Sequence, residues 1–316
     1  MFSVIIPLYN KAPYIQRAID SVLNQGFQDF EIIVVNDGST DGGEELVEKG
    51  YGEGVKLIHQ KNQGVSGARN TGIEKATYSW IAFLDADDAW HPQYLEVMAQ
   101  VISSHPKQRV FGSSYRMDLP KKWEKVENPS PKVFHHYFQE AIRNTFFFTS
   151  ALIYHQSIFK SGIQFDKNLT LGEDLDLFFR AILDFGTPVF IPLPLVYYSQ
   201  EDVYSEVQKS HSISYTLIPK IFFSEEFGPL ILEKSKLKGF DTFREKWVLF
   251  NLPIFFRDNS NKLEIIRILK HVGYSYFLVS GFYHLPYPLL NKVFSSEFLY
   301  TLFRKYLKFC FRYIYT

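Results

Sequence analysis

Short, wholly apolar runs alternate with amphipathic stretches through the first third of the chain. Residues 3–8 are apolar and rich in β-branched side chains, which predicts a strand. Asn10-Lys11-Ala12-Pro13 follows, with the proline suited to a first helical turn, and Ile15, Ala18, Ile19, Val22 and Leu23 then recur at helical spacing. Further strands are expected at 31–35, 55–59 and 80–84. Helices are expected to open within 62–72 and at His91-Pro92, the latter carrying Leu95, Met98 and Ala99. Apolar strands separated by helices of this length predict a parallel sheet covered on both faces. Ligands of such sheets bind at the carboxyl ends of the strands. The polar segments here all follow strands, so Tyr9-Asn10, Asp37 and Asp85-Ala86-Asp87-Asp88 are expected on one rim.

Beyond residue 110 the pattern is mixed. A strand is expected at 146–154, a helix at 173–183 with Leu175, Phe178, Phe179 and Ile182 on its apolar face, and short strands at 189–191 and 195–198 around Pro192 and Pro194. After about residue 212 the chain turns helical and aromatic. Composition sharpens that boundary: aromatics reach 17%, with 31 Phe and 20 Tyr, and they crowd the last third. Two regions are therefore expected, 1–215 and 216–316. Lys+Arg and Asp+Glu balance at 34 each, so no global charge favours a nucleic acid. The lone Cys310 excludes internal disulfides, and no Cys/His spacing suits zinc.

The first residues run straight into a strand pattern with no basic and long apolar leader, so a cytoplasmic chain is expected. Residues 272–291 carry no Lys, Arg, Asp or Glu, but Ser, His284, Pro286 and Pro288 make the stretch too polar and broken to span a bilayer. Arg304, Lys305, Lys308 and Arg312, with no acid between 298 and 316, read as a cationic amphipathic helix among bulky aromatics. Such a segment either lies in a membrane interface or packs on the protein with a solvated basic face.

Candidate chemistry gathers at the strand ends. Three carboxylates in Asp85-Ala86-Asp87-Asp88 crowd like charges after a buried strand, which is costly without a compensating cation or donors; oxygen ligands suit Mg²⁺ or Mn²⁺. Capping of the following helix accounts for Asp88 alone. Asp37 could accept from a base or ribose, or close an Asx turn. Gly64, Gly67 and Gly72 near Arg69 offer backbone N–H groups and a guanidinium to a diphosphate, or simply allow close helix packing. Glu173-Asp174 could take a proton from a hydroxyl, or merely suit a helix dipole. His211 is a metal or phosphate ligand, or structural.

Val4-Ile5-Ile6-Pro7-Leu8-Tyr9-Asn10, Val34-Val35-Asn36-Asp37-Gly38-Ser39, the stretch from Gly64 to Gly72, Phe83-Leu84-Asp85-Ala86-Asp87-Asp88 and Gly172-Glu173-Asp174 resemble, in order, the family-two glycosyltransferases. The resemblance covers about the first 215 residues. It implies an α/β GT-A fold, a Rossmann-like mixed sheet flanked by helices; the helical, aromatic-rich C-terminal region lies beyond the resemblance. It implies a nucleotide site of Pro7, Tyr9, Asp37, Arg69, Asp85 and Ala86, with Mn²⁺ or Mg²⁺ held by Asp87 and His211. Asp174 would be the general base of an inverting transfer and Glu173 would position donor or acceptor. The donor would be a nucleotide-diphosphate sugar, UDP-linked by expectation, and the acceptor a glycan or lipid-linked glycan of a surface polysaccharide. Membrane contact through 298–316, one of the two readings of that segment, would suit a lipid-linked acceptor. Processive relatives carry a Gln-x-x-Arg-Trp string after the base; none occurs here, so single addition is expected. A polyprenyl-phosphate acceptor and a catalytically inactive nucleotide-sugar binding module are the competing readings. A dinucleotide dehydrogenase lacks its Gly-x-Gly-x-x-Gly after the first strand.

Overall fold

The structure, a computed structural model, describes residues 1–127, 129–142, 147–201, 212–227, 239–273 and 275–315. In chain order the elements are β1 (Phe2–Leu8), α1 (Ile15–Leu23), β2 (Phe30–Asn36), α2 (Gly43–Tyr51), β3 (Lys56–His59), α3 (Gly64–Lys75), β4 (Trp80–Phe83), β5 (Ala89–Trp90), α4 (Tyr94–Ser104), β6 (Val110–Arg116), β7 (Lys132–Val133), α5 (Tyr137–Ala141), β8 (Leu152–His155), α6 (Gln156–Lys160), α7 (Glu173–Phe185), β9 (Val189–Tyr197) and α8 (Leu217–Phe223). Later helices are named by their residues.

The sheet runs β3-β2-β1-β4-β8-β6-β9-β5, with β7 on β9. Strands β3, β2, β1 and β4 pair in parallel, as the apolar runs of β1, β2 and β4 led one to expect; β3, at the sheet's edge, is partly exposed. Strand β8 then lies antiparallel to both β4 and β6, so the sheet is mixed rather than parallel throughout. Leu8, Asn36 and the end of β4 share one edge through the register of β1 with its neighbours. Helix α3 lies close on β1: a Cβ at Gly72 would come within 2.4 Å of Ile5 Cγ2, so glycine is required there for the approach.

Two expectations are corrected. Of the strand foreseen at 146–154, the described residues form a strand only from Leu152, which runs to His155, and Thr149–Ala151 form a 3₁₀ turn. Thr149 and Ser150 use their hydroxyls to hold carboxylates instead of extending a strand. The two short strands around Pro192 and Pro194 form one strand, β9, whose pairing with β6 shifts register between Ser113 and Tyr115. The prolines that suggested a break cause only an irregularity.

The chain forms two compact units: Met1–His135 with Phe146–Lys167 and Glu173–Gln208, and His136–Thr145 with Asn168–Gly172 and Lys209–Thr316. The first holds the sheet. The second is helical with an aromatic interior: the Phe138 ring lies 4.7 Å from Phe240 and 5.2 Å from Phe243, and Phe282 stacks on Phe303 at 4.4 Å. Its helix Glu297–Phe309 buries Phe303 and Leu307, and the π turn Cys310–Ile314 after it buries Cys310 and Phe311. Arg304 does not join the cationic face as its spacing suggested. Its guanidinium lies 3.7 Å over the Phe250 ring and donates to the Phe250 carbonyl. Among the described residues no helix is long and apolar enough to cross a membrane.

Candidate active site

The rim is built from the ends of β1, β2 and β4 together with the start of α7. At β1, Pro7 is half-buried and Tyr9 is 47% exposed. Asn10 adopts φ 52°, a left-handed turn that Asn tolerates, and its side-chain oxygen accepts from the Thr40 amide. At β2, Asp37 is buried; its Oδ1 accepts from Gln60 Nε2 at 2.6 Å and from the Gln63 amide at 2.8 Å. Asp37 thus clasps the start of α3 while Gly38, at φ 76°, turns the chain away.

Five acids come together here: Asp85, Asp87 and Asp88 follow β4, and Glu173 and Asp174 open α7. Arg69, 3% exposed, points from α3 between them: its Nη2 donates to Asp85 Oδ1 at 2.7 Å and its Nη1 to Glu173 Oε1 at 3.1 Å. Burial works against its charge, but Asp85 and Glu173 outweigh that and keep it protonated. The 149–150 turn makes a second bridge. Thr149 Oγ1 donates to Asp174 Oδ2 at 3.1 Å, and Ser150 Oγ donates to Asp88 Oδ2 at 2.5 Å while accepting from the Asp85 amide. The Asp85–Asp88 loop and the first turn of α7 therefore share one site, although 85 positions separate Glu173 from Asp88.

The electrostatics are uneven. Burial first, then Asp85, holds the Asp88 carboxyl well above the usual range, although Ser150 and the Ser199 amide bond to it. Burial also raises Asp87; Lys11, whose Nζ is 2.5 Å from Asp87 Oδ2, offsets only part of that, and Asp85 adds to it. Glu173 is raised by burial and by Asp174, against the pull of Arg69. Surplus negative charge in a desolvated rim is the condition under which an added cation or proton is welcome.

A divalent ion fits this donor set. Mg²⁺ is commonly held by one or two carboxylates, with phosphate oxygens and water completing the shell. Asp87, with 15% of its side chain exposed, faces a cation already, and Asp85 stands two residues before it. Among the described residues no group of three or more His, Cys, Asp and Glu gathers into a metal cluster. His211 lies outside the described residues. Ala86, within the same loop, is buried.

Several residues of the site escape a motif reading. Arg17 Nη2 donates to the Asp87 carbonyl at 2.7 Å and Nη1 to Glu201 at 2.9 Å, fixing the backbone of the acidic loop from α1. Thr149 and Ser150 sit behind a phenylalanine run whose apolar signal masked them. Lys11 was legible only as a neighbour of Asn10.

Residues 3–163 match the profile described as glycosyl transferase family 2, half of the chain. The chain belongs to that family. An uncharacterized glycosyltransferase of Nostoc sp. is 42% identical over 120 residues, 37% of this chain and 36% of that protein. The chain thus spans about a third of that relative's length, and 15% and 28% of two further family relatives. The fold is that of GT-A enzymes. S. aureus TarS in complex with UDP-GlcNAc superposes with a TM-score of 0.64 at 19% identity, over 95% of this chain and 92% of that one. A mannosyltransferase from Pyrobaculum calidifontis in complex with GDP-Man and Mn²⁺ gives 0.57 at 15% identity, over 96% and 87%.

Proposed function

We propose that this family-two chain is an inverting, divalent-cation-dependent glycosyltransferase that adds one sugar from a nucleotide-diphosphate donor, UDP-linked by preference, to a glycan or lipid-linked glycan hydroxyl in surface polysaccharide synthesis. The observation that carries the reading is the Arg69 bridge from Asp85 to Glu173, since it joins an acidic, cation-seeking loop to a helix start that offers a second carboxylate, Asp174. The nucleotide sugars and Mn²⁺ named with the two solved relatives support the donor class and the cation.

In this reading Pro7, Tyr9 and Asp37 hold the nucleoside, and Asp85 and the Ala86 backbone hold the ribose end. Asp87 would hold the ion, with His211 as a second ligand, and the ion would offset charge building on the departing diphosphate. Asp174, kept in place by Thr149 and by the Leu175 amide at 2.8 Å, accepts the proton from the acceptor hydroxyl as that oxygen attacks the anomeric carbon from the far face. Glu173, fixed by Arg69, positions the reactants. Preset dipoles and a rigid sheet edge keep the groups in line.

The test is a screen of nucleotide sugars for donor turnover with Mn²⁺ or Mg²⁺, run beside Asp174→Asn. Transfer by the variant should fall by about 10²–10⁴-fold while donor binding by calorimetry is retained. Equal transfer by both proteins would remove Asp174 from the mechanism. Turnover unaffected by chelator would remove the cation.

A further inference from the structure

We propose that the second unit carries a docking face for the surface of a bilayer containing anionic lipid, made by the helix Glu297–Phe309, the turn after it, and Phe277-Leu278. The inference goes beyond the transferase reading and stands on different residues.

The helix has two unlike sides. Phe303, Leu307, Cys310 and Phe311 are buried and seat it in the unit. Phe298, Leu302, Phe309 and Tyr313 are 76%, 55%, 53% and 66% exposed. At about 100° per residue the first three fall within roughly 40° of one another, so they form a single stripe, and Tyr313 continues it. Tyr306 widens the stripe and ties it to a neighbour: its hydroxyl donates to the Leu278 carbonyl at 3.0 Å, and the Leu278 amide donates to Tyr315 Oη at 2.7 Å. Phe277, 63% exposed, and Leu278 thereby adjoin the same face. Large apolar side chains left in water side by side mark an interaction surface.

Charge selects the occupant. Lys305, Lys308 and Arg312 are exposed along one flank of the stripe. The helix's only acid, Glu297, sits in its first turn and is paired with Arg257 at 2.9 Å. Aromatic rings beside unopposed cations suit the headgroup boundary, where rings sit at the interface and long basic side chains reach phosphates. A second copy of this face would bring the same three cations together and be repelled.

The full chain should be sedimented with vesicles of phosphatidylcholine, with and without phosphatidylglycerol. Binding is expected to the anionic vesicles, weakening with added salt. Lys305→Gln, Lys308→Gln and Arg312→Gln combined should lower partitioning by roughly a hundred-fold, at about five-fold per cation. Phe298→Ser with Phe309→Ser should lower it as well. All five positions are exposed, so unchanged circular dichroism and thermal midpoints are expected for both variants. Equal partitioning of wild type and both variants, or no binding to either vesicle, overturns the proposal. So does a self-associated species, seen by sedimentation velocity, that the two serines abolish. Vesicle binding needs no turnover, so this result and the donor screen fail separately.

Discussion

Two side chains, Arg69 in the rim and His91 outside it, show how much a single residue decides. Arg69 neutralises one carboxylate from each half of the site, and its guanidinium has almost no access to water. Arg69→Met should therefore cost about 3–5 kcal/mol, the usual loss when one partner leaves a buried ion pair, read from urea midpoints. His91 sets a pH response. Its Nδ1 accepts from the Gln93 amide and its Nε2 donates to the Glu124 carbonyl, which defines the neutral tautomer. Burial pushes the ring below its ordinary value, against the pull of that carbonyl. The unfolded chain takes up the proton at about pH 6.5, before the folded chain does. His91's contribution is thus complete above that value and is lost as pH falls through the lower, folded one. His91→Asn keeps an acceptor for Gln93, and its thermal midpoint should vary less between pH 5 and 7 than that of the wild type.

Among elements, α3 and its bed on β1 carry the clearest demand. The glycines of 64–72 admit both a phosphate-facing and a packing explanation, and Gly72 serves packing, because its Cα faces Ile5 at a distance no methyl group can occupy. Gly72→Ala should destabilise by about 1–3 kcal/mol, measured by thermal unfolding, without altering the rim itself. Strand β1 and helix α1 were legible because each is buried in a regular way: β1 on both faces and α1 through Ile15, Ala18, Ile19 and Val22; α2, which buries only Gly43 and Val47, was not foreseen. The 146–154 stretch was not, because its apolar run continues through two hydroxyl residues whose partners, Asp174 and Asp88, lie far away in sequence. Spacing exposes a period but not a long-range hydrogen bond. For the same reason the acidic motifs stood out in the sequence, while Arg17, Lys11 and Ser150, which bond to that acidic loop, did not.

At the scale of the whole molecule, opposite charges balance at 34 each, so repulsion between copies is weakest near neutral pH. Light scattering across pH should show the greatest self-association close to pH 7, with relief on either side. Composition sets the aromatic last third apart, but gives no sign of its grouping with 136–145 and 168–172, since those stretches resemble their flanks. Their placement has a practical meaning. Tyr137, Phe138 and Ala141 are buried, and Phe138 finds its rings in Phe240 and Phe243. The backbone leaves the sheet-bearing unit and returns twice before departing for good after Gln208. A chain ending at Gln208 would strip Phe138 of its partners Phe240 and Phe243 and leave an apolar helix face in solvent. Recombination at one breakpoint therefore cannot trade one half for another; the two have to be inherited as a stitched pair.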